Sequence, residues 1–465
     1  MNYLAVTSII YIFANGKPQL DTFMKQFFKY VFASFVGTLL FSIIMGCFAF
    51  ITIIGMIAST QTTNEIKDNS VLVLNLSGQL SERSEDNNII SQLQGKIGTI
   101  GLDNLLSAID KAKNNKNIKG IYIEAGAFTA DSYASLQAVR NALVDFKKSG
   151  KWIITYADIY TQGTYYLSSS ANKVYLNPQG QIDWHGLSSQ PVFVKDLLKK
   201  FGVKMQVMKV GTYKSATEMF TGDKMSDANR EQTSAYLNSI WGNITKDVSA
   251  TRNISVSSLN AYADSMITFA APTDYLKYKL VDGLLYTDQV KAVVKKQLGL
   301  DKDDDINQVS IDDMQGVEDE ENDNSDNQIA VYYAYGDIVD GAAGGLFAQG
   351  HTIDAQVVCK DLEKLANDKD VKAVVLRINS GGGSAYASEQ IWHQIMELKK
   401  QKPVVVSMGG MAASGAYYIS APSNWIVAEP TTLTGSIGIF GMFPDFSGLL
   451  TEKLGIKFDE VKTNK

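Results

Sequence analysis

The chain is written twice. Asn117-Ile-Lys-Gly-Ile-Tyr-Ile reads like Asp370-Val-Lys-Ala-Val-Val-Leu, and a helical pattern follows each, over 132–148 and over 384–400. Lys151-Trp-Ile-Ile-Thr-Tyr then answers to Lys402-Pro-Val-Val-Val-Ser, and Gly163-Thr-Tyr-Tyr-Leu-Ser to Gly415-Ala-Tyr-Tyr-Ile-Ser. Asn177-Pro pairs with Glu429-Pro, residues 71–78 with 330–336, and Leu198-Lys-Lys-Phe-Gly-Val-Lys-Met with Thr451-Glu-Lys-Leu-Gly-Ile-Lys-Phe. Self-similarity on this scale constrains the fold before any local reading does, because each copy must be one supersecondary unit. Each copy reads strand, helix, strand, helix, strand, with short apolar strands bounded by turns and parallel crossover connections. The expected class is α/β, two units in tandem.

A further segment precedes the copies. No charged residue lies between Tyr30 and Thr63, and residues 31–58 are dominated by Phe, Ile, Leu, Val, Met, Gly and Ala. That is enough helix to cross ~30 Å of hydrocarbon with some tilt. A cleaved signal peptide has an apolar core of only about 7–15 residues, so a retained anchor is expected. Lys25 and Lys29 precede the segment, whereas Glu65, Lys67 and Asp68 are the first charges after it. The lysine bias puts the N-terminus in the cytoplasm and the bulk of the chain across the membrane.

The expected organisation is therefore a cytoplasmic leader over 1–29, a transmembrane anchor over 30–59, a first α/β repeat over 60–300 and a second over 329–465. Met24 opens a natural short leader, with residues 1–23 as an untranslated upstream extension. Residues 301–328, rich in Asp and Glu among Asn, Ser and Gln, read as a solvated, mobile linker or surface loop rather than a catalytic acid cluster. With Gly202 laid on Gly455, Lys465 falls opposite Thr212, while the first copy runs on through helical patterns at 228–249 and 274–298. A unit lacking its closing helices would expose apolar surface, so the second repeat reads as incomplete and the chain as a fragment of a longer product.

Composition removes several function classes. A net charge of −6 provides no basic surface for nucleic acid. Cys47 and Cys359 form no disulfide framework, the three histidines are scattered, and no Cys/His spacing suits a metal. Neither a metal nor a cofactor is expected.

The two copies differ where chemistry would sit. Ser414 follows the apolar run Val404-Val-Val-Ser-Met in a stretch of Gly and Ala, and its counterpart in the first copy is Gln162. The run Gly381-Gly-Gly, after a second apolar strand, corresponds to Ala125-Gly-Ala-Phe, which has lost its glycines. A hydroxyl on a sharp strand-to-helix turn beside free backbone N–H groups is what a serine nucleophile and its oxyanion hole require. A tightly packed Gly/Ala helix start would explain the local string equally well, but not the asymmetry between the copies. Serine also needs a base. Of His185, His351 and His393, the last is the best triad candidate. Lys214 is the alternative, following a strand-like run over 205–210 and a Gly-Thr turn, because a buried lysine has a lowered pKa and can accept a proton.

Four motifs in order, Val210-Gly-Thr-Tyr-Lys-Ser-Ala, Asn379-Ser-Gly-Gly-Gly-Ser, Met411-Ala-Ala-Ser-Gly-Ala-Tyr-Tyr-Ile-Ser and Thr434-Gly-Ser-Ile-Gly-Ile, resemble the signal peptide peptidase A (protease IV) family of the long tandem-repeat type. The family usually carries proline where Gly381 stands, a change of turn stiffness rather than of chemistry. The resemblance implies Ser414 as nucleophile, Lys214 as general base, and backbone N–H groups of Gly382 or Gly383 and of Gly415 as oxyanion hole. It also implies Ser436, in a Gly-Ser-Ile-Gly strand, as the residue orienting the lysine, and a substrate peptide laid extended along the strand edges from Ile437 and Gly438 to Phe440. The implied fold is an N-terminal transmembrane helix followed by two tandem Clp-peptidase/crotonase-like α/β repeats. The implied activity is degradation of cleaved signal peptides and other short apolar peptides. The implied setting is the bacterial inner membrane, with catalytic domains on the periplasmic side in a homo-oligomeric, tetrameric ring. Two other readings share the fold: a crotonase-type acyl-CoA hydratase or isomerase, and an inactive scaffold. Neither explains both an anchor and a serine at 414. A lysine beyond residue 465 would compete with Lys214, as in shorter single-repeat relatives.

Overall fold

The computed structural model describes residues 25–48, 50–52, 65–84, 98–317, 325, 327–341 and 351–464. The expected leader up to Met24 lies outside these residues, as does the anchor beyond Thr52. Residues up to Asn64 and residues from Glu65 onward form two separate compact units.

In the N-terminal unit, α1 (Lys25–Thr52) has 28 residues, which at 1.5 Å per residue gives ~42 Å, more than the ~30 Å of a bilayer core. Phe28, Leu40, Ile44, Phe41 and Val31 all stand exposed, and at about 100° per residue they fall on every side, so beyond Lys29 the helix is apolar around its circumference. Its hydroxyls are satisfied internally: Thr38 Oγ1 donates to the Ser34 carbonyl and Ser42 Oγ to the Thr38 carbonyl, each at 2.9 Å. Hydrocarbon demands this of any polar group it surrounds.

The larger unit begins with β1 (Ser70–Ser81), β2 (Thr99–Gly101), α2 (Leu102–Asn114), β3 (Ile118–Ala130), α3 (Tyr133–Lys147), β4 (Trp152–Tyr160), α4 (Gln162–Ser168) and β5 (Lys173–Ile182). There follow β6 (Lys204–Lys209), the long α5 (Asp227–Arg252), β7 (Gly283–Leu284), α6 (Thr287–Leu298) and β8 (Asn307–Val309). The second half holds β9 (Gln328–Tyr335), β10 (Asp337–Val339), β11 (Thr352–Asp354), α7 (Ala355–Asn367), β12 (Val371–Ser380) and α8 (Ala385–Lys399). It closes with β13 (Val404–Ala413), α9 (Gly415–Ser420), β14 (Trp425–Val427), β15 (Leu433–Gly435) and β16 (Phe440–Asp445).

Two parallel sheets result. The first has seven strands in the order β2-β1-β3-β4-β5-β7, with β8 also on β1. The second has five, β14-β13-β12-β9, with β15 also on β13. The path β1-β3-β4-β5 of one matches β9-β12-β13-β14 of the other, in the strands that the self-similar sequences supply. Helices cover the sheets, so neighbouring strand residues such as Val71 and Leu72 are both fully buried, as in doubly covered parallel sheets. Val374, Leu376, Val404 and Val406 meet Ile391, Ile395 and Leu398 of α8 in the second core. Each such side chain contributes about 1.5–3 kcal/mol on burial. Helix starts fall where the pattern places them, since Ser132 and Ser384 accept from the N–H groups of Ser135 and Ala387 at 3.1 and 3.2 Å.

Two expectations are corrected. The helical pattern over 274–298 is broken, because Lys279 turns left-handed at φ 60° and β7 intervenes before α6. Residues 301–317, expected as part of a mobile linker, are stitched to the first sheet instead. There β8 pairs with β1, Met314 is fully buried, and Lys111 Nζ donates to the Val317 carbonyl at 2.6 Å. Apolar residues among the acids (Val309, Ile311, Met314) supply the burial that net charge obscures.

Candidate active site

Two strands from different halves meet to build the site. Strand β6 runs antiparallel to β16, from Lys204 opposite Asp445 to Lys209 opposite Phe440. Beyond this ribbon Val210 N–H donates to the Ile439 carbonyl at 3.0 Å. Gly211 then turns the chain at φ 100°, and Lys214 N–H closes the turn on the Gly211 carbonyl at 3.3 Å. Lys214 is thereby delivered inward, only 4% exposed.

From the other side, β13 ends in a turn at Ser414, with φ 55° and ψ −118°. A side chain other than glycine held there stores on the order of 1–3 kcal/mol of strain. Ser414 N–H donates to the Gly435 carbonyl, and the Ser414 carbonyl accepts from Tyr418 N–H, both at 2.9 Å. Small neighbours are required, since a Cβ on Gly415 would stand 2.5 Å from Ser388 Oγ.

Lys214 Nζ donates to Ser414 Oγ at 2.9 Å, to the Ser436 carbonyl at 2.8 Å and to Ser436 Oγ at 3.2 Å. Three ammonium protons meet three acceptors, all uncharged. Burial pushes the lysine below its ordinary value of 10.5, because desolvation disfavours the cation. Ser436 reaches its position through consecutive left-handed residues, Gly435 at φ 85° and Ser436 at φ 48°.

The glycine turn modifies one expectation. Gly382 N–H donates to Ser380 Oγ at 3.0 Å and so is not free for a substrate oxygen. Gly382 acts through shape: at φ 99°, a Cβ there would stand 2.6 Å from Gly415 N. The Gly382 carbonyl accepts from Ile338 N–H at 3.0 Å, and Ser384 N–H donates to the Ile338 carbonyl at 2.9 Å. This leaves the N–H groups of Gly383 and Gly415 as the two donors of the expected set without a protein acceptor. A Cβ built on Gly415 would lie 3.3 Å from Gly383 N, so the two glycines are close neighbours.

Lys214, Ser414, Gly383 and Gly415 line one cavity of about 610 Å³, walled by Tyr417, Tyr418, Ile437, Gly438, Ile439 and Phe440. Ile437 and Gly438 are therefore at the cavity, as expected, but 436–439 is not strand, and the pairing edge of β16 is occupied by β6. The histidines are elsewhere. His393 is exposed on α8, His185 pairs with Asp183 at 3.2 Å, and His351 stacks on Tyr335. Sequence reading missed Ser380, Ser388 and the two cavity tyrosines. Ser380 stood in plain view within Asn379-Ser-Gly-Gly-Gly-Ser, where a hydroxyl two residues before a glycine N–H is a turn signal. A serine hydroxyl, a desolvated lysine within hydrogen-bond reach of it and two neighbouring N–H donors are parts from which an acyl-transfer site can be built.

The sequence matches peptidase family S49 over residues 145–301 and 396–465, and the Clp protease domain over 344–425. It is 36% identical to Protease 4 of Salmonella typhi over 464 residues, covering 95% of this chain and 73% of that protein. Protease 4 of Haemophilus influenzae is 35% identical, covering 89% of this chain and 69% of its own length. The chloroplastic serine protease SPPA of Arabidopsis thaliana is 30% identical over 86% of this chain and 58% of its own. With a relative this similar across 95% of the chain and 73% of its own length, the chain belongs to peptidase family S49 and is a serine peptidase of Clp-type α/β fold.

Proposed function

We propose that the chain is a membrane-anchored serine–lysine endopeptidase that degrades released signal peptides and other short apolar peptides. The observation carrying this reading is the 2.9 Å contact between Lys214 Nζ and Ser414 Oγ, made across the two halves. In the neutral lysine, two N–H groups stay on the Ser436 carbonyl and hydroxyl while the lone pair takes the Ser414 proton. Oγ attacks the scissile carbonyl carbon, and the developing oxyanion is held by the N–H groups of Gly383 and Gly415. The lysine ammonium then protonates the leaving amine, giving an acyl-enzyme. Water, deprotonated by the same lysine, attacks the ester, and the proton returns to Ser414 as the peptide acid departs.

Substrate class follows from the lining. Ile437, Ile439, Phe440 and Tyr417 favour apolar side chains, and exposed backbone at Ile437 and Gly438 suits main-chain pairing with an extended peptide. The uncharged run of α1 after Lys29 supports single-pass anchoring, and Lys25 and Lys29 at its start support a cytoplasmic N-terminus with the sheets across the inner membrane. Residues 60–300 and 329–465 are read as tandem repeats, the first supplying the base and the second the nucleophile. Exposed apolar residues along the β6–β16 ribbon, such as Met208 and Phe443, suit assembly into a ring, tetrameric by family resemblance.

The test uses a serine-directed phosphonate and apolar peptide substrates on the membrane-inserted protein, with Ser414→Ala, Lys214→Ala and His393→Ala. Peptide hydrolysis lost in each of the first two and kept in the third is expected. Labelling that persists in Ser414→Ala would sink the assignment, and activity kept in Lys214→Ala but lost in His393→Ala would move the base to histidine.

A further inference from the structure

Strand β13 does not run evenly into Ser414. Its pairing with β12 goes from Ile378 opposite Met408 to Ser380 opposite Ala412, so Gly409, Gly410 and Met411 bulge out against Asn379. The bulge lies a few residues before the nucleophile, and Ser380 opens the glycine turn on the facing strand. Bulges beside active sites re-aim the residues that follow them.

What holds this bulge comes from the first half. Glu82, just past β1, is 4% exposed, and its carboxylate accepts from both Nε and Nη2 of Arg377 and from Asn379 Nδ2. Arg377 Nη1 goes on to the Ser407 hydroxyl and the Met408 carbonyl, each at 3.1 Å, fastening the bulge where it begins. Asn379 Oδ1 accepts from Met411 N–H at 3.1 Å, fastening it where it ends, while Asn379 Nδ2 also donates to Asp131 at 2.7 Å. The fit leaves no slack, because a Cβ on Gly409 would stand 3.1 Å from Glu82 Oε2 and one on Gly410 only 2.3 Å from the Ser132 side chain. A buried carboxylate is a poor way to glue two units together, since desolvation offsets much of its attraction. Bidentate charged hydrogen bonds do supply directional geometry.

We propose that Glu82 is a positioning residue: through Arg377 and Asn379 it sets the β13 bulge, and with it the placement of Ser414 against the Gly383 and Gly415 donors. The inference rests on the serine–lysine reading above. It makes docking of the first half a condition for a formed oxyanion site, independently of Lys214.

Glu82→Gln in the full chain tests it, with Arg377→Lys as a second variant should the first not fold. The expected result is a fall in kcat and in the rate of Ser414 phosphonylation of roughly ten- to a hundredfold per folded molecule. KM and the pH limb of Lys214 stay unchanged, since Glu82 touches neither lysine nor cavity. Unchanged kcat per folded molecule, or a loss that merely follows the folded fraction in thermal unfolding, overturns the proposal. A wild type that is not labelled at Ser414 overturns the serine–lysine reading and this one with it. A labelled wild type with unaltered variants overturns this one alone.

Discussion

Ser414 and Gln162 stand at matching places in the two halves, each at the junction of a parallel strand with a short helix, yet their surroundings are opposite. Ser414 precedes α9 in a left-handed, strained conformation, with two N–H donors nearby that have no protein acceptor. Gln162 is the first residue inside α4, whose cap Thr161 is relaxed at φ −66° and accepts from Thr164 N–H at 3.2 Å. The Gln162 amide oxygen takes the N–H groups of His185 and Gly186 at 3.1 and 3.0 Å, and its nitrogen donates to Tyr133 and to the Gly186 carbonyl. Trp184, the counterpart of Ser436, fills the adjacent space, fully buried and donating to the Leu259 carbonyl. One scaffold thus carries a strained serine turn and, at the matching place, a relaxed turn plugged by a glutamine whose side-chain amide is fully hydrogen-bonded.

The comparison breaks most directly at the nucleophile. Ser414→Ala should lower kcat by on the order of 10⁴-fold or more, read in peptide turnover. Lys214→Ala should cost roughly 10²–10⁴-fold, the range of a general base. In the wild type, kcat/KM should rise with pH through an apparent pKa below 10.5, because burial lowers Lys214 and the free base is the active form. A rising limb at or above the ordinary lysine value would contradict this. Gly382→Ala should lower kcat about 10²-fold by displacing the Gly415 donor, with Ser414 still present for phosphonate labelling. Gln162→Ser should confer no activity on the first half, where no lysine among the described residues bonds to Gln162. It should lower stability by about 1–3 kcal/mol by orphaning the His185 and Gly186 N–H groups, measured by denaturant titration.

Much of this contrast was legible beforehand. The α/β class, the tandem strand pattern, the loss of serine at 162 and the candidacy of Ser414 all follow from aligned short strings, because periodicity and small-residue turns are local properties. Strand β8 and the short helix after it, Ile311–Gln315, were not legible, since a few apolar residues decided their docking while the acidic majority suggested solvent. The strand reading at Ile437 also failed: glycines at 435 and 438 with left-handed φ values direct that segment around Lys214 rather than along an edge.

Residue types and their order determined by themselves that this chain forms two parallel sheets with one surviving serine turn. Only the tertiary structure decided that Lys214 meets that serine, that the Gly382 N–H is taken by Ser380 while those of Gly383 and Gly415 have no protein acceptor, and that Glu82 reaches across to the β13 bulge. Those outcomes depend on groups as far apart in the chain as Lys214 and Ser414, or Glu82 and Asn379. Their meeting is set by strand pairing and packing, which no local pattern encodes.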